Sequence, residues 1–287
     1  MRWQDRRRSS NVVDRRGSGR GIGGGIRMGG AGLIIVAVLY TLMGGNPLQL
    51  VPMVANQPSS YVETAEDAEK MEFIKVILAD TEDVWKEVFN EYQGLREQGV
   101  VYKEPKLVVF HQSIQSACGM AGAAMGPFYC PGDQTVYLDL SFFDKLKNEL
   151  GASGDFAIAY VISHEIGHHV QNLLGILQQQ QALREKLSPT EYNKISVRIE
   201  LMADYFAGVF TRRIEEKGYL DVDDLEEAIN AAGRVGDDVL QKQYQGRVVP
   251  DSFTHGSAEM RVRWFMKGYN TGDLRNFDTF QYEYDEL

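Results

Sequence analysis

Phe156-Ala157-Ile158-Ala159-Tyr160-Val161-Ile162-Ser163-His164-Glu165-Ile166-Gly167-His168 decides how this chain is read. Its first half is an unbroken apolar run, which predicts a buried helix. His164 and His168 are four positions apart, so at about 3.6 residues per turn they project from one face. Two imidazoles on one face can bind a single zinc ion, and Glu165, one step round, can reach a water held by it. H-E-x-x-H on a helix thus combines two metal ligands with a general base, the arrangement of zinc metallopeptidases. The competing reading is an ordinary core helix. It would bury two imidazoles and a carboxylate, each of which then needs a partner.

A catalytic zinc requires a third protein ligand and one open position. The form with a third His downstream needs Gly and His where this chain has Gln171 and Leu174, so it is excluded. The other form takes a Glu from a later helix. Arg198-Ile199-Glu200-Leu201-Met202-Ala203-Asp204 supplies it, with Glu200 and Asp204 four apart on one face. Glu200 is the expected third ligand, and Asp204 the expected acceptor of the spare His164 N–H. Ser188, Pro189 and Glu191 spell the start of that helix: cap, first position and capping box. A solvated acidic pair is the competing reading, but carboxylates among Leu201, Met202, Ala203 and Phe206 are costly unless paired or metal-bound.

The chain resembles the YpfJ-type neutral zinc metallopeptidases of bacteria. The resemblance rests on Met1-Arg2-Trp3-Gln4 with its arginine run, Cys118-Gly119, Gly126-Pro127-Phe128-Tyr129-Cys130-Pro131, Val136-Tyr137-Leu138-Asp139, His164 to His169, Glu200 to Asp204 and His255-Gly256-Ser257. It runs over nearly the whole length and implies a membrane-anchored protein with a gluzincin-like catalytic domain. Such domains place a small sheet before the first zinc helix, with an edge strand along the cleft. If Gln134 to Leu140 is that edge, a substrate peptide can add to it through backbone hydrogen bonds. The stretch Thr254-His255-Gly256-Ser257 with Arg261 is similar to the Thr-His-Pro…Arg stretch of HtpX-like membrane proteases. It makes His255 a candidate for stabilising an oxyanion.

The net charge of −10 conceals an asymmetry. Residues 1–27 carry eight Arg and two Asp, net +6, and the remainder is net −16. An acidic body argues against a nucleic-acid partner. The uncharged run from Met28 to Leu50 is long enough to cross a bilayer of roughly 30 Å. With the basic head before it, the positive-inside rule predicts a single-pass anchor in the cytoplasmic membrane, residues 1–27 inside and the body in the periplasm or otherwise outside. A cleaved signal peptide is the alternative, but Pro52-Met53-Val54-Ala55 is a poor cleavage site. Cys118 and Cys130 are the two cysteines. Export would favour a disulfide between them; free thiols are the alternative, and no C-x-x-C pair suggests a second metal site.

The chain therefore divides into a disordered basic head (1–27), a transmembrane helix (28–50), a linker (51–64) and a zinc metallopeptidase domain (65–287). The expected fold is α+β, mainly α, zincin-like with a small sheet. Helices are expected at Ala65–Gly94, Phe142–Leu150, Gly154–Leu174, Pro189–Lys217, from Asp221 to Gln243 with breaks at Gly233 and Gly236, and Ser257–Tyr269. Strands are expected at Lys106–Phe110 and Gln134–Leu140. His169 is assigned to the surroundings of the metal or to the surface, and His111 to structure. The expected activity is peptide-bond hydrolysis with one zinc per chain, His164, His168 and Glu200 as ligands and Glu165 as base. The alternatives are an anchored interaction module with a structural or inactive zinc site, and hydrolysis of a non-peptide amide.

Overall fold

Thr64 opens the first long helix. Its hydroxyl accepts the Asp67 N–H at 3.1 Å and the Asp67 carboxylate accepts the Thr64 N–H at 3.0 Å, a reciprocal capping box. The computed structural model describes residues 1–17 and 61–287. From Thr64 runs α1 (Ala65–Glu91), followed by the short α2 (Gln93–Glu97). α1 buries Ile74, Ile77, Trp85 and Phe89.

The sheet has the order β1-β2-β6-β5. β1 (Val12–Asp14), β2 (Lys106–Phe110) and β6 (Thr135–Asp139) are parallel, and β5 (Phe128–Cys130) runs antiparallel to β6. β6 is paired on both sides and all five of its residues are buried. The strand expected at 134–140 is therefore interior, and the strand at that end of the sheet is β5. A separate hairpin, β3 (Ser113–Ser116) with β4 (Gly119–Gly122), lies between β2 and β5 in sequence. A Cys118–Cys130 disulfide ties its turn to β5.

The remaining helices are α3 (Ser141–Asn148), α4 (Asp155–Leu173), α5 (Ile176–Leu183), α6 (Pro189–Glu216), α7 (Asp224–Arg234), α8 (Asp237–Gln245) and α9 (Ala258–Thr271). Of the breaks expected at Gly233 and Gly236, the one at Gly236 separates α7 from α8, while Gly233 lies within α7. α4 packs against α1, α6 and α7, and α6 packs along α9. Phe156, Tyr160 and Ile166 of α4, Phe206 and Phe210 of α6, and Trp264 and Phe265 of α9 meet in one core. Each contributes about 1.5–3 kcal/mol by leaving water. The α6–α9 contact is backbone to backbone. A Cβ on Gly208 would collide with the Phe265 carbonyl oxygen, and one on Gly268 with that of Tyr205.

The first seventeen residues correct the expectation of a disordered head. Met1 and Trp3 pack against the core, and the Trp3 ring meets Phe73 edge-on at 5.5 Å. The Met1 ammonium lies among Asp155 (3.0 Å), Asp224 (3.2 Å) and Asp221 (3.5 Å). Arg6 pairs with Asp80, Arg7 with Glu82 at 2.8 Å, and Arg8 with Glu72 at 2.7 Å. β1 then joins the sheet, Val12 to Asp14 matching Leu107 to Val109. The arginines that suggest disorder by composition find their counter-charges on the acidic body. Residues 61–64, expected in the linker, also belong to the fold through the Thr64 cap and the Tyr61 hydroxyl, which accepts from Arg16 at 2.8 Å. Among the described residues no helix is long and apolar enough to cross a membrane. The run 28–50 expected to do so lies outside them, as do residues 18–27 and 51–60.

Candidate metal centre

α4 and α6 cross where Gly167 faces Ala203. A Cβ at Gly167 would sit 2.9 Å from the Ala203 carbonyl oxygen and 3.0 Å from its Cα. The glycine inside the His164–His168 turn therefore lets the second helix come close enough for Glu200 to reach both imidazoles. Gly167→Val is expected to push the helices apart, lower stability by about 1–3 kcal/mol and weaken zinc binding. Unfolding curves and a chelator competition on the same preparations check both.

Glu200 Oε2 lies 3.1 Å from His164 Nε2, and Oε1 lies 3.5 Å from His168 Nε2. The two imidazoles stand at 87° with centroids 4.9 Å apart. One ligand atom from each of His164, His168 and Glu200 falls within 4.8 Å of the others. Glu165 is buried, with 8% of its surface exposed. Among the described residues no hydrogen bond holds its carboxylate, which is not sealed from solvent.

Each imidazole is oriented from behind. Asp204, fully buried, accepts from His164 Nδ1 at 2.8 Å. The Tyr160 hydroxyl donates to the same carboxylate at 2.6 Å, and Arg261 donates from Nε at 2.9 Å and Nη2 at 3.0 Å. His168 Nδ1 bonds Gln171 Oε1 at 2.8 Å, while Gln171 Nε2 donates to the Ile199 carbonyl at 2.6 Å. The acceptors behind both rings keep a proton on Nδ1 and turn each Nε2 towards Glu200, so that Nε2 is the atom a metal would take in exchange for its proton.

The electrostatics follow from this packing. Burial pushes the Asp204 carboxyl up, but Arg261 and His164 outweigh it and hold it at about 2. Burial also opposes charge on Glu200, yet His168, His255 and the bonds from both imidazoles hold it well below the usual carboxylate range. Burial lowers His164, but Asp204 and Glu200 raise it to about 9.

His169 turns away from this centre. It is fully buried rather than at the surface, with Nδ1 2.9 Å from the Tyr129 hydroxyl and Nε2 2.6 Å from the Lys103 carbonyl. Both bonds suit a neutral ring, and burial lowers it to about 4. A depressed histidine contributes stability fully above its unfolded value of about 6.5, and that stability is lost as pH falls towards 4. Wild type is therefore expected to lose on the order of 3 kcal/mol more than His169→Gln over that interval. Urea unfolding of both proteins from pH 7 to pH 4 measures the difference.

His255 comes to the same centre from the loop before α9, close enough for its charge to act on Glu200. Its side chain is half-exposed, and Nδ1 lies 3.2 Å from Asp237 Oδ1. The other Asp237 oxygen accepts the backbone N–H groups of Thr254 and His255 at 2.7 Å and of Gly256 at 3.1 Å. Gly256 has φ +95°, and its N–H is used. A proline there, as in the HtpX-like stretch, fits neither condition.

Residues 1–280 match the family described as "Putative neutral zinc metallopeptidase". The chain belongs to that family. It is 46% identical to "Uncharacterized protein YpfJ" of Escherichia coli K12 over 289 residues, covering 98% of this chain and 99% of that one. It is 43% identical to "Uncharacterized protein Rv2575" of Mycobacterium tuberculosis H37Rv over 190 residues, 62% of this chain and 63% of that one. No solved structure matches.

The donor set suits the metal in the family's description. Two neutral imidazole nitrogens and one carboxylate are borderline donors that zinc accepts in tetrahedral sites, and three protein ligands leave one position open. The structure brings His164, Glu165, His168, Glu200, Asp204 and His255 into one region; Cys118 and Cys130 lie apart, in the hairpin and β5. Sequence reading missed Tyr160 and Asp237 and took Gln171 only as an absent glycine. A glutamine three residues after His168, on the same helical face, was a usable signal. Asp237 had none, because its partners lie 17–19 residues away in a loop.

Proposed function

We propose that the protein is a zinc-dependent endopeptidase that cleaves peptide bonds in protein substrates. The observation that carries this reading is the convergence of His164, His168 and Glu200 within 4.8 Å, with Glu165 beside them and only partly shielded. Bound there, zinc would polarise a scissile carbonyl and make a water acidic near neutral pH. Glu165 takes that water's proton and passes it to the leaving amine. Asp204 and Gln171 keep the ligand rings in the tautomer that presents Nε2. His255, held by Asp237, donates to the oxygen that gains charge. β5 lies at the end of the sheet and packs against α4, so an extended substrate backbone can align along it.

The test uses the full chain, purified without added metal. Elemental analysis should give about one zinc per chain by the site count above. Cleavage of an unfolded protein should stop with a chelator and return with zinc. Zinc bound at that ratio without cleavage of any polypeptide would replace the peptidase reading with a binding module.

A further inference from the structure

We infer that the chain does not cross a membrane once: residues 1–17 and the metal-centre domain lie on the same side of any membrane that the apolar run 28–50 meets. Three observations carry this. The first is that β1 is part of the sheet. The Leu107 N–H donates to the Asn11 carbonyl at 3.0 Å and the Arg15 N–H to the Val109 carbonyl at 2.7 Å, framing the three-residue ladder. Without β1 the buried strand β2 would present an unpaired edge.

The second is Glu82, a carboxylate only 1% exposed. Its partners come from the N-terminal segment: the Ser9 hydroxyl at 2.5 Å, Asn11 Nδ2 at 2.8 Å and Arg7 at 2.8 Å. Moving residues 1–17 across a bilayer would strip this carboxylate of these three partners.

The third is Arg16, whose side chain is 3% exposed. It donates to the Tyr61 hydroxyl at 2.8 Å and to Glu63 at 2.7 Å. The chain thus leaves the domain at Gly17 and returns at Tyr61 within the reach of one side chain, whereas a single crossing separates its ends by roughly 30 Å. The charges that would hold a basic head inside are also engaged: Arg6, Arg7, Arg8 and Arg16 all pair with carboxylates of the domain.

Two measurements on the full chain in membranes of its host test this. The first places single cysteines at exposed positions of the two parts, Ser10→Cys and Val222→Cys, and applies a membrane-impermeant maleimide to intact cells and to inverted vesicles. The wild type, whose two cysteines form the disulfide, is the blank, and labelling after denaturation confirms that each variant is present. Both cysteines should label from the same side, at rates within a few-fold of each other. Labelling from opposite sides overturns the proposal. The second needs no substitution: hydrogen exchange of the lipid-reconstituted wild type. The Leu107 and Arg15 amides should exchange at least a hundredfold more slowly than in an unstructured chain. Exchange of both at the free-chain rate would overturn it equally.

Discussion

Glu165→Gln is expected to lower peptide cleavage by about 10²–10⁴-fold, the usual contribution of a positioned acid–base group, while zinc remains bound. The physical reason is the division of labour within one helical turn. His164 and His168 present Nε2 from one face of α4, and their orientation comes from Asp204 and Gln171. None of those contacts involves Glu165. Glutamine keeps the size and polarity of the side chain but cannot take a proton. The loss should therefore fall on kcat, with KM little changed and the unfolding midpoint within about 0.5 kcal/mol of wild type. Steady-state kinetics beside zinc analysis of the same preparation give the answer. Full activity with zinc bound would remove Glu165 from the proton transfer.

Arg261→Met is expected to produce the largest loss of stability, about 3–5 kcal/mol. Arg261 is 4% exposed and donates two hydrogen bonds to Asp204, one to the Tyr160 hydroxyl at 3.2 Å and one to the Val235 carbonyl at 3.2 Å, and its Nη2 lies 3.3 Å from His164 Nδ1. Its removal leaves the fully buried Asp204 carboxylate with Tyr160 and His164 alone. Because Asp204 orients a metal ligand, zinc affinity should fall as well, by about 10–100-fold. Asp204→Asn combined with Arg261→Met removes both charges, and the double variant should be less destabilised than the two single losses added together. Urea unfolding of the three variants without metal, and zinc competition with it, separate the structural effect from the ligand effect. A loss below about 1 kcal/mol in Arg261→Met would show that the ion pair contributes no more than a surface one.

The local periodicities were legible from the sequence. The apolar run ending at His168 forms α4, and Ser188 with Glu191 forms the capping box of α6. The spacing of His164, His168, Glu200 and Asp204 placed each on a helix face, and spacing of that kind is a property of the backbone alone. β1 was not legible. It has three residues among arginines and is formed by pairing with a strand more than ninety residues later. β6 was found, but its place at the edge or inside the sheet stayed open, because neither pairing partner is written in its own residues. The topology drawn from the basic head and the run after it rested on charge and length. Neither reveals that the same arginines meet carboxylates at positions 72 to 83.

The sequence by itself determined the donor types and the helix faces that carry them. These depend on interactions within a few residues along the chain. Only the tertiary structure decided that Arg261 completes the shell behind His164 across 97 residues, that Asp237 holds the His255 loop, and that the N-terminal segment belongs to the sheet. Those contacts arise from buried charges finding partners wherever the packed helices bring them, and no local pattern encodes that choice.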